Sequence, residues 1–258
     1  MGLPPAPPAR GPRSWPAFQV AWFAGRQIVG RSARLLPLLT KGPRTRPDLI
    51  VGPQTEICIE GFARSGNTFA VYAFELWNPG SHVAHHLHAP GQFVRALRLS
   101  VPCVALIREP LQTVSSLVAF YEGALPVGLA LRSYVSFHRA LLKVADRVAI
   151  CSFEELVEDP SIIVERANDK FGSRFRAWAL DETEQAQLRE QIEREHRRAG
   201  LPESRLTIPS DETLADKLRI RRDVEGHRLL RQARAAHDMV LARAAQYARS
   251  RSQRTPPA

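Results

Sequence analysis

Two rhythms of apolar and polar positions alternate through the middle of the chain. Short, largely apolar runs of strand length occur at Thr55–Glu60, Val101–Ile107 and Arg147–Cys151. Each leads into longer stretches with helical spacing: Phe69–Trp77 after the first, Pro110–Tyr121 and Leu129–Ala145 after the second, Glu154–Phe171 after the third. Strands without a polar face suit a sheet covered on both sides, and their alternation with helices predicts an α/β fold with a parallel sheet flanked by helices. Pro110 fits the first turn of its helix, where its missing N–H leaves no bond unmade. Further on, Glu182–Arg198 and Asp223 to about Arg249 predict charged helices, separated by a loop holding Pro202 and Pro209.

Upstream of the first strand the pattern is less decisive. Phe18, Trp22, Val29 and Leu36 recur near helical spacing within Trp15–Leu39, with Arg26, Arg31 and Arg34 between them. Three readings stay open: packing on the domain, lying on an anionic membrane surface, or an organelle-targeting segment. The first dozen residues are Pro-rich and read as disordered, and Lys41–Pro53 reads as a linker. The predicted organisation is a basic arm over residues 1–50, one domain over 51–250 and a disordered tail over 251–258.

Charge sharpens that division. The net charge is +10 over 258 residues, yet residues 1–47 contain no Asp or Glu and eight basic residues. Most of the excess charge therefore belongs to the arm rather than to the domain. No nucleic-acid motif accompanies it, so no nucleic-acid partner is predicted. No run of eighteen uncharged apolar residues occurs, which argues against a membrane span. With no secretion signal or anchor recognised, a cytoplasmic protein is expected, with peripheral membrane contact through the arm left open. Cys58, Cys103 and Cys151 each fall in an apolar strand-like stretch and read as buried free thiols. No Cys/His spacing matches a zinc site, and no metal is predicted.

Candidate chemistry begins where the first strand ends. Gly61-Phe62-Ala63-Arg64-Ser65-Gly66-Asn67-Thr68 has the spacing G-x-x-x-x-G-K-[ST], with Asn67 in place of lysine. Between a strand and a helix, such a loop turns successive backbone N–H groups and a helix N-terminus toward an anion. The absent lysine argues against a nucleoside triphosphate. The second strand ends in Arg108-Glu109-Pro110, and its guanidinium suits an oxyanion better than a metal ion. Ser115 and Ser116 follow on the next helix. These parts predict a ligand with two anionic ends.

This constellation resembles the sulfotransferases that use 3′-phosphoadenosine 5′-phosphosulfate (PAPS). Their P-K-S-G-T-T-W motif lies over Ala63-Arg64-Ser65-Gly66-Asn67-Thr68-Phe69, and their R-[ND]-P-x-D-x-x-x-S motif over Arg108, Pro110 and Ser116. A third, Y-E-D-L-x-x-[DN]-P, lies over Phe153–Pro160, and the resemblance spans about residues 55–245. It implies a P-loop-type sulfotransferase fold and PAPS as metal-free cosubstrate. Arg64 and the loop amides, with Ser65, Gly66, Asn67 and Thr68, would face the 5′-phosphosulfate, Phe69 the adenine, and Arg108 with Ser116 the 3′-phosphate. Phe153 stands where a tyrosine would hydrogen-bond the nucleotide. The R-K-G signature of the animal enzymes is absent, with Arg205 its candidate substitute.

The family also places a K-T-H segment between the two phosphate motifs. Laid over His86-Leu87-His88, it implies His88 as the base that takes the acceptor's proton, with His86 at the lysine position and His85 nearby. The residues alone leave metal binding or a solvated histidine loop open. The implied acceptor is a hydroxyl or amine on a small molecule, lipid or glycan. Two rival readings remain: a P-loop kinase with a degenerate loop, and a non-catalytic nucleotide- or nucleic-acid-binding module led by the basic arm.

Overall fold

The computed structural model describes residues 15–40, 49–198 and 211–252. Arg205, the loop around Pro202 and Pro209, the first dozen residues, most of the linker and most of the tail lie outside the described residues.

Four strands form one parallel sheet: β1 Ile57–Gly61, β2 Val83–His85, β3 Cys103–Ile107 and β4 Ala149–Ser152, in the order β2-β1-β3-β4. Cys58 stands opposite Cys103 and Ala84, and Leu106 opposite Cys151. Every residue of β1 and β3 is buried, as expected of a sheet with two covered faces. The three cysteines are free and buried in β1, β3 and β4.

Alternation along the strands divides the core. Cys58, Cys103, Ala105 and Ile107 face a cluster shared with α1 Ala17–Val29, α3 Gly91–Arg98, α4 Pro110–Phe120, α5 Val127–Leu142, α9 Asp211–Glu225 and α10 Leu230–Ser252. Ile57, Ile59, Val104 and Leu106 face the other side, packing with α2 Asn67–Trp77, α6 Phe153–Glu158, α7 Ile162–Phe171 and α8 Glu182–Arg198. The chain is a three-layer α/β structure.

Two predicted helices are each two in fact. Glu154–Phe171 is broken into α6 and α7 because Pro160 drives Asp159 out of helical space, to φ −143° and ψ 105°. The C-terminal helix begins earlier than expected, at Asp211, and is interrupted after Glu225 at Gly226 before α10 starts at Leu230. The helix α3 falls outside the predicted elements; it is only eight residues long, although Phe93, Val94, Ala96 and Leu97 make half of it apolar.

Residues 15–40 pack on the body. Trp15 meets Phe23 and Tyr121 edge-on, with ring centroids 5.5 and 4.7 Å away, and its amide donates to Ala124 O. A 3-10 turn at Leu36–Thr40 brings Leu36 and Leu39 into a separate small cluster with Leu87 and Ala89. Gly91 N donates to Gly30 O at 2.8 Å, an approach so close that a Cβ on Gly91 would lie 2.9 Å from that same oxygen. Among the described residues no helix is long and apolar enough to cross a membrane.

Candidate functional site

The site is built where β1 runs into α2. Gly61 ends β1 so close to β3 that a Cβ would stand 2.5 Å from Leu106 O. Gly66 enters α2 with φ +92°, in the left-handed region that glycine occupies without cost. The turn is tightened from inside. Asn67, at the lysine position of the spacing, is buried, and its Nδ2 donates to Phe62 O at 3.1 Å. Asn67 thus closes the loop instead of reaching outward.

The N-terminus of α2 has no side-chain cap and no acidic residue in its first turn. Its positive end is therefore not neutralised locally. The start of α4 differs: Glu109 accepts from Gln112 N at 2.8 Å and closes it. Ser65 Oγ and Asn67 Oδ1 are buried and make no hydrogen bond among the described residues.

Two arginines converge on the loop. Arg64 adopts φ +73°, and its Nε donates to Ser116 Oγ at 3.0 Å. Arg108 Nη1 donates to Arg64 O at 3.2 Å, while its Nε and Nη2 donate to Gln112 Oε1. Tyr134 OH, donating to Arg108 O at 2.6 Å, fixes the backbone from behind. The guanidinium of Arg108 lies over the Phe153 ring, 3.8 Å from its centroid, and Phe153 also abuts Gly66. Burial lowers the Arg108 pKa, which nearby Glu154 and Glu109 partly restore. Arg64, Ser116, Arg108 and Phe153 thus meet around the loop. Phe69 is partly buried against the α2-side core.

The histidines arrive on the segment after β2. Leu87 and Ala89 are buried in the cluster with Leu36 and Leu39, while His86 and His88, which alternate with them along the chain, are half-buried. His86 Nε2 is hydrogen-bonded to Thr68 Oγ1 at 3.0 Å, and its Nδ1 to His85 Nδ1. His88 Nδ1 donates to Gly61 O at 3.0 Å, which leaves Nε2 as the unprotonated nitrogen of the neutral ring. Burial lowers the His88 pKa to about 4 despite the Gly61 bond that raises it. At neutral pH the ring is uncharged. His82 is exposed and stands apart.

Three non-glycine residues of this region, Arg64, His86 and His88, have positive φ. Each such residue is strained, and such strain concentrates at functional positions. Among the described residues, no group of three or more His, Cys, Asp or Glu side chains is arranged to hold a metal ion.

Sequence reasoning missed the groups that hold this segment. Glu60 is wholly buried at the end of β1, accepting from Gly61 N at 3.1 Å and from Leu87 N at 3.0 Å. Its Oε1 lies 3.6 Å from His88 Nδ1. Burial raises its pKa to about 8, against the backbone bonds that lower it. Arg26, from α1, donates to Leu87 O at 3.1 Å. A carboxylate inside an apolar strand and next to a glycine was a visible signal for Glu60. Nothing in the sequence marked Arg26, Gln112 or Tyr134.

The chain matches no protein-family model, no curated protein and no solved structure.

Proposed function

We propose that this chain is a PAPS-dependent sulfotransferase with a P-loop-type fold, moving a sulfuryl group to a hydroxyl or amine acceptor. One observation carries this reading: Arg64, Arg108 and Ser116, from three elements, gather around a loop that opens into an uncapped helix. Backbone amides, guanidinium groups and a hydroxyl form a donor set suited to phosphate and sulfate oxygens. The orphaned Ser65 Oγ adds a hydroxyl to that set. Bound there, PAPS would supply the sulfuryl group and the phosphate it leaves from.

The residues would then divide the work. Arg64 and the first amides of α2 hold the phosphosulfate end, where negative charge grows during transfer. Arg108, backed by Phe153 and Gln112, holds the second phosphate together with Ser116. His88 Nε2 takes the acceptor's proton, with its tautomer fixed by Gly61 O. His86 touches Thr68 and so stands beside the loop itself.

Calorimetry with 3′,5′-adenosine bisphosphate tests the reading. The parent chain should bind, and Arg64→Ala and Arg108→Ala should each weaken binding by about tenfold or more, the scale of a lost charge-assisted bond. Unchanged affinity in both variants would overturn it. Radiolabelled PAPS with a panel of hydroxyl and amine acceptors then identifies the substrate. His88→Ala should keep nucleotide binding and lose about 10²–10⁴ in transfer rate.

A further inference from the structure

The segment that buttresses the histidines has a second apolar face. Trp15, Phe23, Leu36 and Leu39 point inward and are buried. Phe18, Ile28, Leu35 and Leu38 of the same segment are 70 %, 59 %, 42 % and 46 % exposed. Phe18, Ala21, Gly25 and Ile28 fall on one side of α1 by helical spacing, and a Cβ on Gly25 would meet nothing within 4 Å. Leu35 stands just before the 3-10 turn and Leu38 within it, three residues apart. Large apolar side chains held outward along one short segment mark a contact surface.

A basic cleft adjoins this ridge. It encloses about 350 Å³ and is lined by Arg31, Arg132, Arg139 and Lys143, with Gln232 and Ser136 among the polar walls and no acidic residue. Among the described residues none of these four cations forms an ion pair. Arg31 belongs to both features, since it lines the cleft and lies in the chain between Ile28 and Leu35.

We infer that this face docks on an anionic phospholipid bilayer, with the apolar ridge entering the interface and the cleft taking a phosphate headgroup. A free phosphate would satisfy the cleft and leave Phe18, Ile28, Leu35 and Leu38 in water. An uncharged apolar partner would satisfy the ridge and leave four cations crowded together. A membrane surface with anionic lipid satisfies both at once, by apolar burial and by attraction of basic residues to the headgroup layer. Docking on such a surface requires no bound nucleotide.

The test is co-sedimentation of the full chain with phosphatidylcholine vesicles, with and without phosphatidylglycerol. Phosphatidylglycerol should raise binding by about tenfold or more, since each basic residue near the surface contributes a several-fold gain. Phe18→Ser with Ile28→Ser should lose about tenfold or more by withholding two apolar side chains from the interface. Arg132→Ser with Arg139→Ser should lower binding toward the phosphatidylcholine level. Both pairs are exposed, so urea midpoints should match the parent, and affinity for 3′,5′-adenosine bisphosphate should not change. Equal binding to both vesicle types, or full binding by the Phe18/Ile28 variant, would overturn the inference. So would a dimer in sedimentation that Phe18→Ser dissolves, which would assign the ridge to a second copy.

Discussion

The ring of Phe153 holds two parts of the site at once: it lies 3.8 Å from the Arg108 guanidinium carbon and packs beside Gly66. One aromatic side chain thus sets the distance between the tip of β3 and the start of α2. Phe153→Leu should keep the packing volume but remove the π face, lowering stability by about 1 kcal/mol. Phe153→Tyr should match the parent. Urea denaturation of the three proteins decides the point, and equal midpoints for Leu and Phe would refute it.

Gly66→Ala should be more costly. The new Cβ would stand 2.8 Å from Leu156 Cδ2 and 3.1 Å from Phe153 Cδ2, at a φ of +92°. Strain and crowding together predict a loss of about 2–4 kcal/mol. At Gly61 the obstruction is Leu106 O at 2.5 Å, and strand backbone yields less readily than side chains. Gly61→Ala is therefore expected to have the lower melting temperature of the two.

Glu60 and His88 give stability opposite dependences on pH. The folded chain raises the Glu60 pKa from 4.5 to about 8, favouring the neutral carboxyl. That contribution is complete below the unfolded value and disappears as pH rises through the folded one. The folded chain lowers the His88 pKa from 6.5 to about 4, so its contribution is present above the unfolded value and is lost as pH falls through the folded one. His138, buried and lowered from 6.5 to about 3, acts in the same direction as His88. Stability should therefore decline on both sides of a mildly acidic optimum.

Glu60→Gln separates these limbs. It should flatten the decline between about pH 6.5 and 8 and steepen the rise below it, because the group that ionises against the histidines is gone. Glutamine can accept through only one of the two positions, so Gly61 N or Leu87 N loses its partner, at about 1–3 kcal/mol at every pH. Urea midpoints measured across that range would show it. An unchanged slope would place the titration elsewhere.

The N-terminal segment should behave as part of the body. Trp15→Ala and Phe23→Ala each remove a large buried ring from a three-ring cluster with Tyr121 and should cost about 3–5 kcal/mol. Their melting temperatures, compared with that of Phe18→Ala on the exposed face, provide the check. Comparable small effects at all three positions would show that the segment contributes no stability.

Local pattern made much of this structure legible. Three of the four strands are short apolar runs that can be buried on both faces and nowhere else. Pro110 opens a helix and Pro160 breaks one for the same reason: proline lacks an N–H and constrains the residue before it. Applied at Pro160, the same rule divides Glu154–Phe171 into two helices. The Gly61–Thr68 loop was legible because its glycine spacing reports what the backbone must do.

Long-range relationships were not legible. Periodicity could not choose which side of Trp15–Leu39 would be buried, because both sides carry large apolar residues. Nor could it bring Arg26 to Leu87 or Leu36 to Ala89, contacts between residues 61 and 53 positions apart that arise only when the segment folds over the sheet edge. The sequence by itself determined which stretches are strands, which are helices and where glycine must turn the chain, because these depend on neighbouring residues. Tertiary structure alone decided that Arg64 reaches Ser116, that Glu60 carries the histidine segment and that the arm supports it from behind. Those pairings depend on which surfaces are driven together out of water.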